Sequence, residues 1–504
     1  MPQADKTRAE APAEDRYGWR VLSVTALGVM LCFVNASTLT VVLPVVTHDL
    51  GASSLQASWV LLSYMLVTTV LIPVFGRLAD MIGRRQLYLG GLAVLTFASL
   101  ACGLAPNVET MLVFRCLQAI GAAAVITNTT ALLTDAFTPR QLGMGLGLNA
   151  TLAAAAQSFG PMLGGAVVQL LGWRAVFLLN LPIGVYALVR ARAILRPDHE
   201  RPKSTERFDL LGAGLAMLWL GSLVYALSMS APMGWSSAPV LLAVVVAALG
   251  FCAFVLVQRL RSDPLIDLAL FADRERATAY VSVLLICMGQ TSSLLLVALF
   301  LQGVQNLDAF QAGLGVAFVP VGMMITAPLT GRLLNRFSAL SLSTAGLSLV
   351  MLGLLALALL LSPQVGRPTV GLALSLVGVG TGLFLTANNS GIMLSVPARR
   401  RGIANAVRST LQNTGLVVGA ALATSIAIAQ LPPDGQRAVY EGRLSQASPL
   451  DIHHFVSGCR IAFAVLAAIC LLGIVLSLMT QRAMRRHRRA APISPSTPPP
   501  SRQP

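Results

Sequence analysis

The sequence predicts an all-α integral membrane protein, on three observations: its composition, its recurring apolar runs and its alternating charge. Of its 504 residues, 55% are hydrophobic and 11% charged, far from the balance of a soluble domain. Apolar runs of about twenty residues recur, each long enough to cross the hydrocarbon core of a bilayer. About fourteen spans are predicted, over residues 20–46, 57–78, 87–105, 109–134, 142–169, 174–195, 209–230, 239–260, 277–302, 311–334, 341–362, 368–395, 403–430 and 457–480.

The basic residues indicate how these spans are oriented. The net charge is +16. Arginine and lysine crowd alternate loops and both termini: Lys6, Arg8, Arg16, Arg84, Arg85, Arg140, Arg196, Arg201, Lys203, Arg207, Arg259, Arg261, Arg274, Arg276, Arg399 to Arg401 and Arg482 to Arg489. The positive-inside rule therefore places both termini in the cytoplasm, which requires an even number of spans. Nucleic-acid binding is not predicted, because no aromatic residues interleave with the basic clusters.

The chain divides into two six-helix bundles. We expect a cytoplasmic tail over 1–19, a six-helix bundle over 20–195, a loop over 196–208, two inserted helices over 209–260, a loop over 261–276, a second six-helix bundle over 277–480 and a basic, proline-rich disordered tail over 481–504. The tail at the N-terminus lacks the pattern of a cleaved signal peptide. A Gly-Arg-Leu turn follows the second span, at Gly76, and another follows the tenth, at Gly331. This echo predicts a duplicated transporter with a site between its halves.

The segment Gly160-Pro161-Met162-Leu163-Gly164-Gly165 lies inside the fifth span. Proline removes a backbone donor and favours a kink in the helix. Two glycines four residues apart remove the side chains from one helix face, so another helix can approach closely. A bent membrane helix with a smooth face is typical of a moving part in a transporter.

Several motifs together resemble those of a known family. The turn at 76–85, the segment at 160–165 and Arg115-Cys116-Leu117-Gln118-Ala119-Ile120-Gly121 resemble the signature motifs of the major facilitator superfamily. Residues 173–184, 208–212 and 264–268 resemble its fourteen-span drug:proton antiporter branch. The resemblance implies the major facilitator fold, with two six-helix bundles that move between inward-facing and outward-facing states. It covers about residues 20–480.

The resemblance assigns roles to three sets of residues. A gating latch at the cytoplasmic ends of spans two and three would comprise Gly76, Asp80, Gly83, Arg84 and Arg85; a topological anchor is the alternative, and Asn335 would make the second latch weaker. Buried Arg115, with Gln118 on its face, is linked to proton coupling; the alternative is an arginine that snorkels to the outer interface. Gly160, Pro161, Gly164 and Gly165 match the motif of antiporters, which favours export; a packing groove without directional meaning is the alternative.

The first span departs from the family pattern. Asn35 stands where the family has a protonatable aspartate, and an amide does not titrate. No acidic residue falls near the middle of a predicted span, so the usual proton carrier is missing. Glu109 with Arg115, or Asp135 with nearby loop arginines, is an alternative titrating pair. His48, His453 and His454 are expected in solvated loops.

The polar residues near the middle of the spans are amides and hydroxyls. They are Asn128, Gln157, Gln290, Thr291, Asn388, Asn389 and Gln412. Asn128, Gln157, Gln290 and Asn388 are the candidate lining of a substrate cavity; each of the seven could equally join helices by hydrogen bonds. A cavity without carboxylates attracts cations weakly, so the expected substrate is neutral, amphiphilic or anionic, with Arg115 as its counter-charge.

The sequence thus predicts a secondary transporter that exports small amphiphilic compounds, driven by protons. Two alternatives stay open: an exporter of a metabolite or lipid-like molecule with atypical or no proton coupling, and a membrane sensor or scaffold that no longer transports. No enzyme, cofactor or metal site is predicted, since no nucleotide loop, nucleophile-and-base pair or metal-ligand cluster appears. The seven cysteines fall mostly within spans, as small core residues. Partners are the substrate, protons and membrane lipids; whether a periplasmic adaptor docks on the outer loops is left open.

Overall fold

Residues 6–194 form seven α-helices in the computed structural model. The structure describes residues 6–138, 141–197, 209–261, 268–396 and 401–490; for some residues within these ranges, Asp80 among them, it describes the backbone alone. The helices are α1 (Lys6–Asp49), α2 (Ser54–Ile82), α3 (Arg84–Gly103), α4 (Val108–Ala136), α5 (Leu142–Leu171), α6 (Trp173–Leu178) and α7 (Asn180–Ile194).

Ten further α-helices follow. They are α8 (Leu210–Met233), α9 (Ala238–Leu260), α10 (Arg274–Gly303), α11 (Ala309–Val316), α12 (Phe318–Leu333), α13 (Ala339–Leu360), α14 (Arg367–Ser395), α15 (Arg401–Ile428), α16 (Pro433–Tyr440) and α17 (Pro449–Ala490). Short 3₁₀ turns occupy Leu268–Phe271 and Leu444–Gln446, and the described residues contain no strand. The all-helical fold class is confirmed.

Thirteen helical segments of the described chain are long and apolar enough to cross a membrane. They coincide with thirteen of the predicted spans, and the remaining span, 142–169, falls on α5, a helix of 30 residues. Two spans consist of two short helices each, α6 with α7 and α11 with α12. Pro182 and Pro320 are the third residues of α7 and α12, so each removes the bond that would reach the last residue of the preceding helix.

The termini and one loop differ from the expectations. Helix α1 begins at Lys6, inside the predicted tail, and α17 continues to Ala490, ten residues into the segment expected to be disordered. Arginine, methionine, glutamine and alanine in 481–490 are good helix formers, which explains the continuation. Residues 491–504 lie outside the described chain. Helix α16, in the loop between the last two spans, was not predicted because it has only eight residues.

The helices pack as two bundles that touch. In the first, α1 packs on α5, and α4 packs on α2 and α3; in the second, α14 packs on α12 and α13, and α15 packs on α10. The bundles meet where α5 contacts α11 and α12, and where α2 contacts α15. The inserted helices α8 and α9 pack on each other, with Trp219 and Phe251 rings 5.2 Å apart, and α8 contacts both α2 and α15. The inserted pair therefore lies over the line where the bundles meet.

Two ends of the molecule are distinguished below. The arginine-rich end is where α2 ends at Ile82 and α3 begins at Arg84. The arginine-poor end is where α1 ends at Asp49 and α2 begins at Ser54. Of the basic loop residues, Arg140, Arg201, Lys203, Arg207, Arg399 and Arg400 lie outside the described chain.

Candidate functional site

The glycines of α5 allow α1 to approach closely. A Cβ added at Gly160 would collide with Ser37, and one at Gly164 would lie 3.0 Å from the Cβ of Thr38. The Thr38 hydroxyl donates to the carbonyl of Gly160 at 2.8 Å. Helix α5 continues unbroken through Pro161. The smooth face at Gly160 and Gly164 thus packs against α1, within the first bundle.

The other side of the same segment contacts the second bundle. A Cβ at Gly165 would lie 2.5 Å from the carbonyl oxygen of Ala309, and one at Gly313 would lie 2.7 Å from that of Pro161. Helices α5 and α11 therefore meet backbone to backbone. We call this contact, formed by Pro161, Met162, Gly165, Ala309, Phe310 and Gly313, the seam.

Further contacts between the bundles lie at the arginine-poor end. The Thr47 hydroxyl of α1 donates to the carbonyl of Tyr440 at 2.7 Å, and the Ser58 hydroxyl of α2 donates to the Tyr440 hydroxyl at 2.6 Å. A Cβ at Gly442 would lie 3.2 Å from that of Pro44. Helix α16 and the residues after it thus join the second bundle to α1 and α2. This end is closed in the described conformation.

A buried polar cluster surrounds Arg115 within the first bundle. The Arg115 guanidinium donates to the Val60 carbonyl at 3.2 Å, to Asn35 Oδ1 at 3.2 Å and to Gln118 Oε1 at 2.7 Å. Gln118 Nε2 donates to the Ser99 hydroxyl at 2.7 Å, and the guanidinium lies 4.4 Å from the ring centre of Tyr64. We call Asn35, Tyr64, Ser99, Arg115 and Gln118 the Arg115 cluster.

The Arg115 cluster is sealed from solvent. Arg115 and Gln118 are 0% exposed and Asn35 is 3% exposed, so Arg115 does not snorkel to the interface. The three hydrogen-bond acceptors are all uncharged, and Asn35 occupies the place where a carboxylate would form an ion pair. The residue that departs from the family motif, Asn35, is thus in direct contact with Arg115.

Of the two alternative titrating pairs, the structure brings together one. Glu109 accepts from Gln56 Nε2 at 2.7 Å on the surface, and the described contacts of Arg115 do not include it. Glu109 and Arg115 are therefore not paired in the structure, because about two turns of α4 separate them. Asp135 accepts from Arg84 at 2.7 Å.

Two residues of the predicted latch, Arg84 and Arg85, join helices of the first bundle. Arg84 donates to Asp135 and to the Ala131 carbonyl at the end of α4, and Arg85 donates to the Leu195 and Arg192 carbonyls at the end of α7. Gly83 has a φ of 101°, which only glycine adopts without strain, and it ends α2 and precedes α3. A Cβ at Gly76 would make only an ordinary contact, 3.6 Å from Thr127. The Asp80 side chain lies outside the description.

The four candidate cavity residues are distributed over both bundles. Asn388 Nδ2 donates to the Ala279 carbonyl at 3.0 Å and Gln290 Nε2 contacts Met323 Sδ at 3.5 Å, so both join helices. Asn128 is fully buried and donates to the Ala124 carbonyl of its own helix, and Gln157 is half-buried on α5. The described hydrogen bonds link none of the four to another. Hydrogen bonding between helices is the better supported reading for Asn388 and Gln290.

The sequence reasoning missed a second arginine inside a span. Arg408 of α15 is half-buried and donates to Asn405 Oδ1 at 3.3 Å and to Gln412 Oε1 at 2.9 Å. It lies seven residues before Gly415, which packs on Leu284 of α10, so Arg408 is on the face toward α10. The sign in the sequence that could have revealed Arg408 is a single arginine near the end of an apolar run.

Two clefts lie at the arginine-poor end. One of about 370 Å³ is lined by His48, Asp434, Arg437, Ala438, Glu441 and Arg443. The other, of about 270 Å³, borders the seam and includes Pro44, Gln169, Gln302, Asp308 and Gly442. Among the described residues no group of histidine, cysteine and acidic side chains has the arrangement of a metal site.

Comparison with known proteins identifies the family. The model of the Major Facilitator Superfamily matches residues 25–420, and again 279–502. The chain is 34% identical over 436 residues to the multidrug resistance protein Stp of Mycobacterium tuberculosis (strain CDC 1551 / Oshkosh), covering 86% of this chain and 80% of that protein. It is 28% identical to the tetracenomycin C resistance and export protein of Streptomyces glaucescens, covering 94% of each.

Solved structures show the same fold. A bacterial homologue of the human lysosomal transporter Spinster, inward-facing and unoccupied, matches 93% of this chain and 98% of its own with a TM-score of 0.62 at 16% identity. Tetrameric PepTSo2 matches with a TM-score of 0.63 at 14% identity, covering 93% of this chain and 99% of its own. The two-bundle architecture and these matches agree: the chain is a multi-pass membrane transporter and belongs to the Major Facilitator Superfamily.

Proposed function

We propose that this protein exports small amphiphilic compounds across the bacterial inner membrane as a multidrug or antibiotic efflux transporter. The observation that carries the proposal is the seam, where the Gly160–Gly165 segment of α5 meets the second bundle backbone to backbone. Two relatives whose names denote multidrug resistance and tetracenomycin C export support it, since they match 86% and 94% of the chain. Loss of glycine at such a contact would weaken closure of the arginine-poor end.

The proposed mechanism is alternating access between the two bundles. In the described conformation the bundles touch at the arginine-poor end, through the seam and through the hydrogen bonds of Tyr440. Outward release would require these contacts to open. Substrate would enter from the cytoplasm or inner leaflet, at the arginine-rich end, and leave on the opposite side.

Proton antiport is the proposed source of energy, with an unusual carrier. Asn35 does not titrate, so the carboxylate that exchanges protons would lie elsewhere. Asp135, which is partly exposed and bonded to Arg84 at the arginine-rich end, is the proposed group, because a carboxylate whose arginine partner moves can bind and release a proton. Gly76, Asp80, Gly83, Arg84 and Arg85 would serve as the latch around it.

The proposed substrates are neutral, amphiphilic or anionic compounds. The polar groups described within the spans are amides, hydroxyls and two arginines, none of which carries the negative charge that would favour a cation. Arg115 is sealed, whereas Arg408 is half-buried, so Arg408 replaces Arg115 as the proposed counter-charge for an anionic substrate. Asn128 and Gln157 remain candidates to line the path.

The topology we propose has both termini in the cytoplasm and fourteen spans, as in the drug:proton antiporter branch. The helices over 20–195 and 277–480 would form the two moving bundles. The inserted pair, α8 and α9, would move with the bundles, because α8 contacts both α2 and α15. The cleft of charged residues at the arginine-poor end is the surface where a periplasmic adaptor protein would be sought.

The test is export by the purified protein in proteoliposomes, with a panel of neutral, anionic and permanently dicationic lipophilic compounds. The proposal expects accumulation of neutral or anionic compounds that depends on a proton gradient and stops when an uncoupler is added. Strong export of the dication alone would refute the proposed substrate class. No transport of any compound, together with unchanged accumulation in cells that lack the protein, would favour the sensor or scaffold alternative.

A further inference from the structure

The inserted pair, α8 and α9, is held together as one unit. Asp209, buried just before α8, accepts from the Gly212 N–H at 2.9 Å and from Gln258 Nε2 of α9 at 2.9 Å. Near the middle of α9, a Cβ added at Gly250 would lie 3.1 Å from the Cβ of Trp219 on α8. A buried carboxylate with both oxygens bonded and a close approach of two helices leave little freedom between α8 and α9.

A buried hydrogen bond joins the inserted pair to α15 of the second bundle. Ser230 near the end of α8 and Ser425 near the end of α15 are each 3% exposed, and their hydroxyl oxygens lie 2.5 Å apart. The Ser230 hydroxyl donates to the Leu227 carbonyl of its own helix at 2.8 Å, so the Ser425 hydroxyl is the donor between the helices. Because no water is present at this depth to replace a lost partner, the bond favours joint movement of α8 and α15.

The contact of the inserted pair with α2 of the first bundle is apolar and looser. A Cβ added at Gly221 of α8 would meet a single atom within 4 Å, Cδ2 of Leu66 on α2, at 3.9 Å. The described hydrogen bonds that leave α8 and its cap residue lead to α9 and α15, and none leads to α2. Apolar helix surfaces can slide past each other by small steps, since the contacts that are lost reform along the helix.

We infer that the inserted pair belongs mechanically to the second bundle: it moves with α15 as one body, while α2 of the first bundle slides along α8. The inference rests on the proposed alternating access and adds which bundle carries the insertion. The unequal contacts of α8 carry it, since they are buried and hydrogen-bonded toward α15 and apolar toward α2. Because α8 contacts both helices, the inserted pair would cover the line where α2 and α15 meet during the movement and exclude lipid from it.

Two cross-links that start from the same helix test the inference. Ser230→Cys with Ser425→Cys joins α8 to α15; the native oxygens lie 2.5 Å apart, near the disulfide length of about 2.05 Å, so oxidation requires little movement. Leu66→Cys with Gly221→Cys joins α8 to α2 through a short bis-methanethiosulfonate linker, and the space beside Gly221 admits the new side chain. Both pairs are placed in a background that carries Cys252→Ser, because Cys252 is exposed.

The measurement is export by the full-length protein in proteoliposomes, with the neutral or anionic compound that the wild-type protein accumulates best. The complete cross-link between α8 and α15 is expected to leave export within about twofold of the untreated protein, because the two helices move as one body. The complete cross-link between α8 and α2 is expected to lower export at least about tenfold, and a thiol reductant should restore it. Cross-linking is scored by loss of maleimide-reactive thiols, and the four single-cysteine variants receive the same treatments as controls.

Either cross-link can overturn the inference. Loss of export after oxidation of Ser230→Cys with Ser425→Cys, restored by reduction, would mean that the inserted pair moves relative to the second bundle. Full export with α8 and α2 completely cross-linked would mean that α2 does not slide along α8. A third cross-link, Pro44→Cys with Gly442→Cys, separates these results from a failure of alternating access, since it stops export whenever the bundles must part at the arginine-poor end.

Discussion

At the scale of single residues, the contact between Asn35 and Arg115 has the greatest consequence for mechanism. The amide oxygen lies 3.2 Å from the guanidinium in a cluster closed to solvent. The sequence indicated both residues as special, one as a departure from a family motif and one as a charge within a span. It did not indicate their contact, because they are 80 residues apart and no local pattern links them. Tyr64 and Ser99 were missed for the same reason: each is an ordinary buried residue of its own helix.

Replacing Asn35 tests whether this position controls proton coupling. We predict that Asn35→Asp makes export more responsive to a pH gradient, because a carboxylate binds and releases protons and an amide does not. One additional coupled proton would raise the limiting concentration ratio by about tenfold for each pH unit. The measurement is steady-state accumulation in proteoliposomes at several pH gradients.

Asn35→Ala is the control for that variant, since it removes the amide without a titratable group. If the two variants respond equally to the gradient, position 35 has no influence on coupling even when it carries a carboxylate.

Asp135 and Glu109 differ in their surroundings, and we predict that they differ in effect. Asp135→Asn should reduce proton-driven export severalfold while it changes stability little, because the ion pair with Arg84 is partly exposed and such pairs contribute about 0–1 kcal/mol. Glu109→Gln should leave coupling unchanged, because Glu109 is bonded to Gln56 at the surface. Proton uptake for each substrate molecule exported is the quantity to measure. Normal coupling in both variants would exclude Asp135 as the carrier.

At the scale of helices, the sequence predicted the spans well and their contacts poorly. Apolar runs reveal helices because the bilayer imposes length and composition, and charge shows where they end. The breaks at Leu179 and Ala317 were missed, although a proline follows each by three residues. A proline near the start of a helix is tolerated, so its presence alone does not indicate a break. The partner of α5 across the molecule was also hidden, since glycine spacing indicates a close approach without naming the helix that approaches.

The seam can be tested with a single methyl group. Gly165→Ala would place its Cβ 2.5 Å from the Ala309 carbonyl oxygen, so the bundles must separate or shift. We predict a loss of about 1–3 kcal/mol in the stability of the closed conformation and a matching fall in export. Gly90→Ala on α3 is the matched control, because a Cβ at that position would meet no atom within 4 Å. The thermal unfolding midpoint and the export rate are compared in both variants. Equal values would show that the seam contributes neither to stability nor to export.

At the scale of the whole molecule, the structure is a pair of bundles that meet at the arginine-poor end and where α2 contacts α15. The fold class followed from composition and charge, because these are properties of the whole chain. Which end is closed did not follow, since it depends on contacts such as those of Tyr440 and Gly165, which lie far apart in sequence. The sequence predicted α8 and α9 as an insertion but did not indicate where they pack. In the structure α8 packs on both α2 and α15.

The central claim is that export requires the arginine-poor end to open, and a reversible cross-link tests it most directly. A Cβ at Gly442 would lie 3.2 Å from that of Pro44, close to the separation of about 3.8 Å found in disulfides. Pro44→Cys with Gly442→Cys would join α1 to the second bundle, in a background that carries Cys252→Ser because Cys252 is exposed. The two single-cysteine variants control for strain at Gly442, whose φ is +68°.

The measurement is export in proteoliposomes before oxidation, after oxidation and after reduction. We predict that oxidation stops export by the double variant, that a thiol reductant restores it, and that neither treatment affects the single-cysteine variants. Export that continues at its full rate after complete cross-linking would contradict the account, because the bundles would then not need to separate at this end.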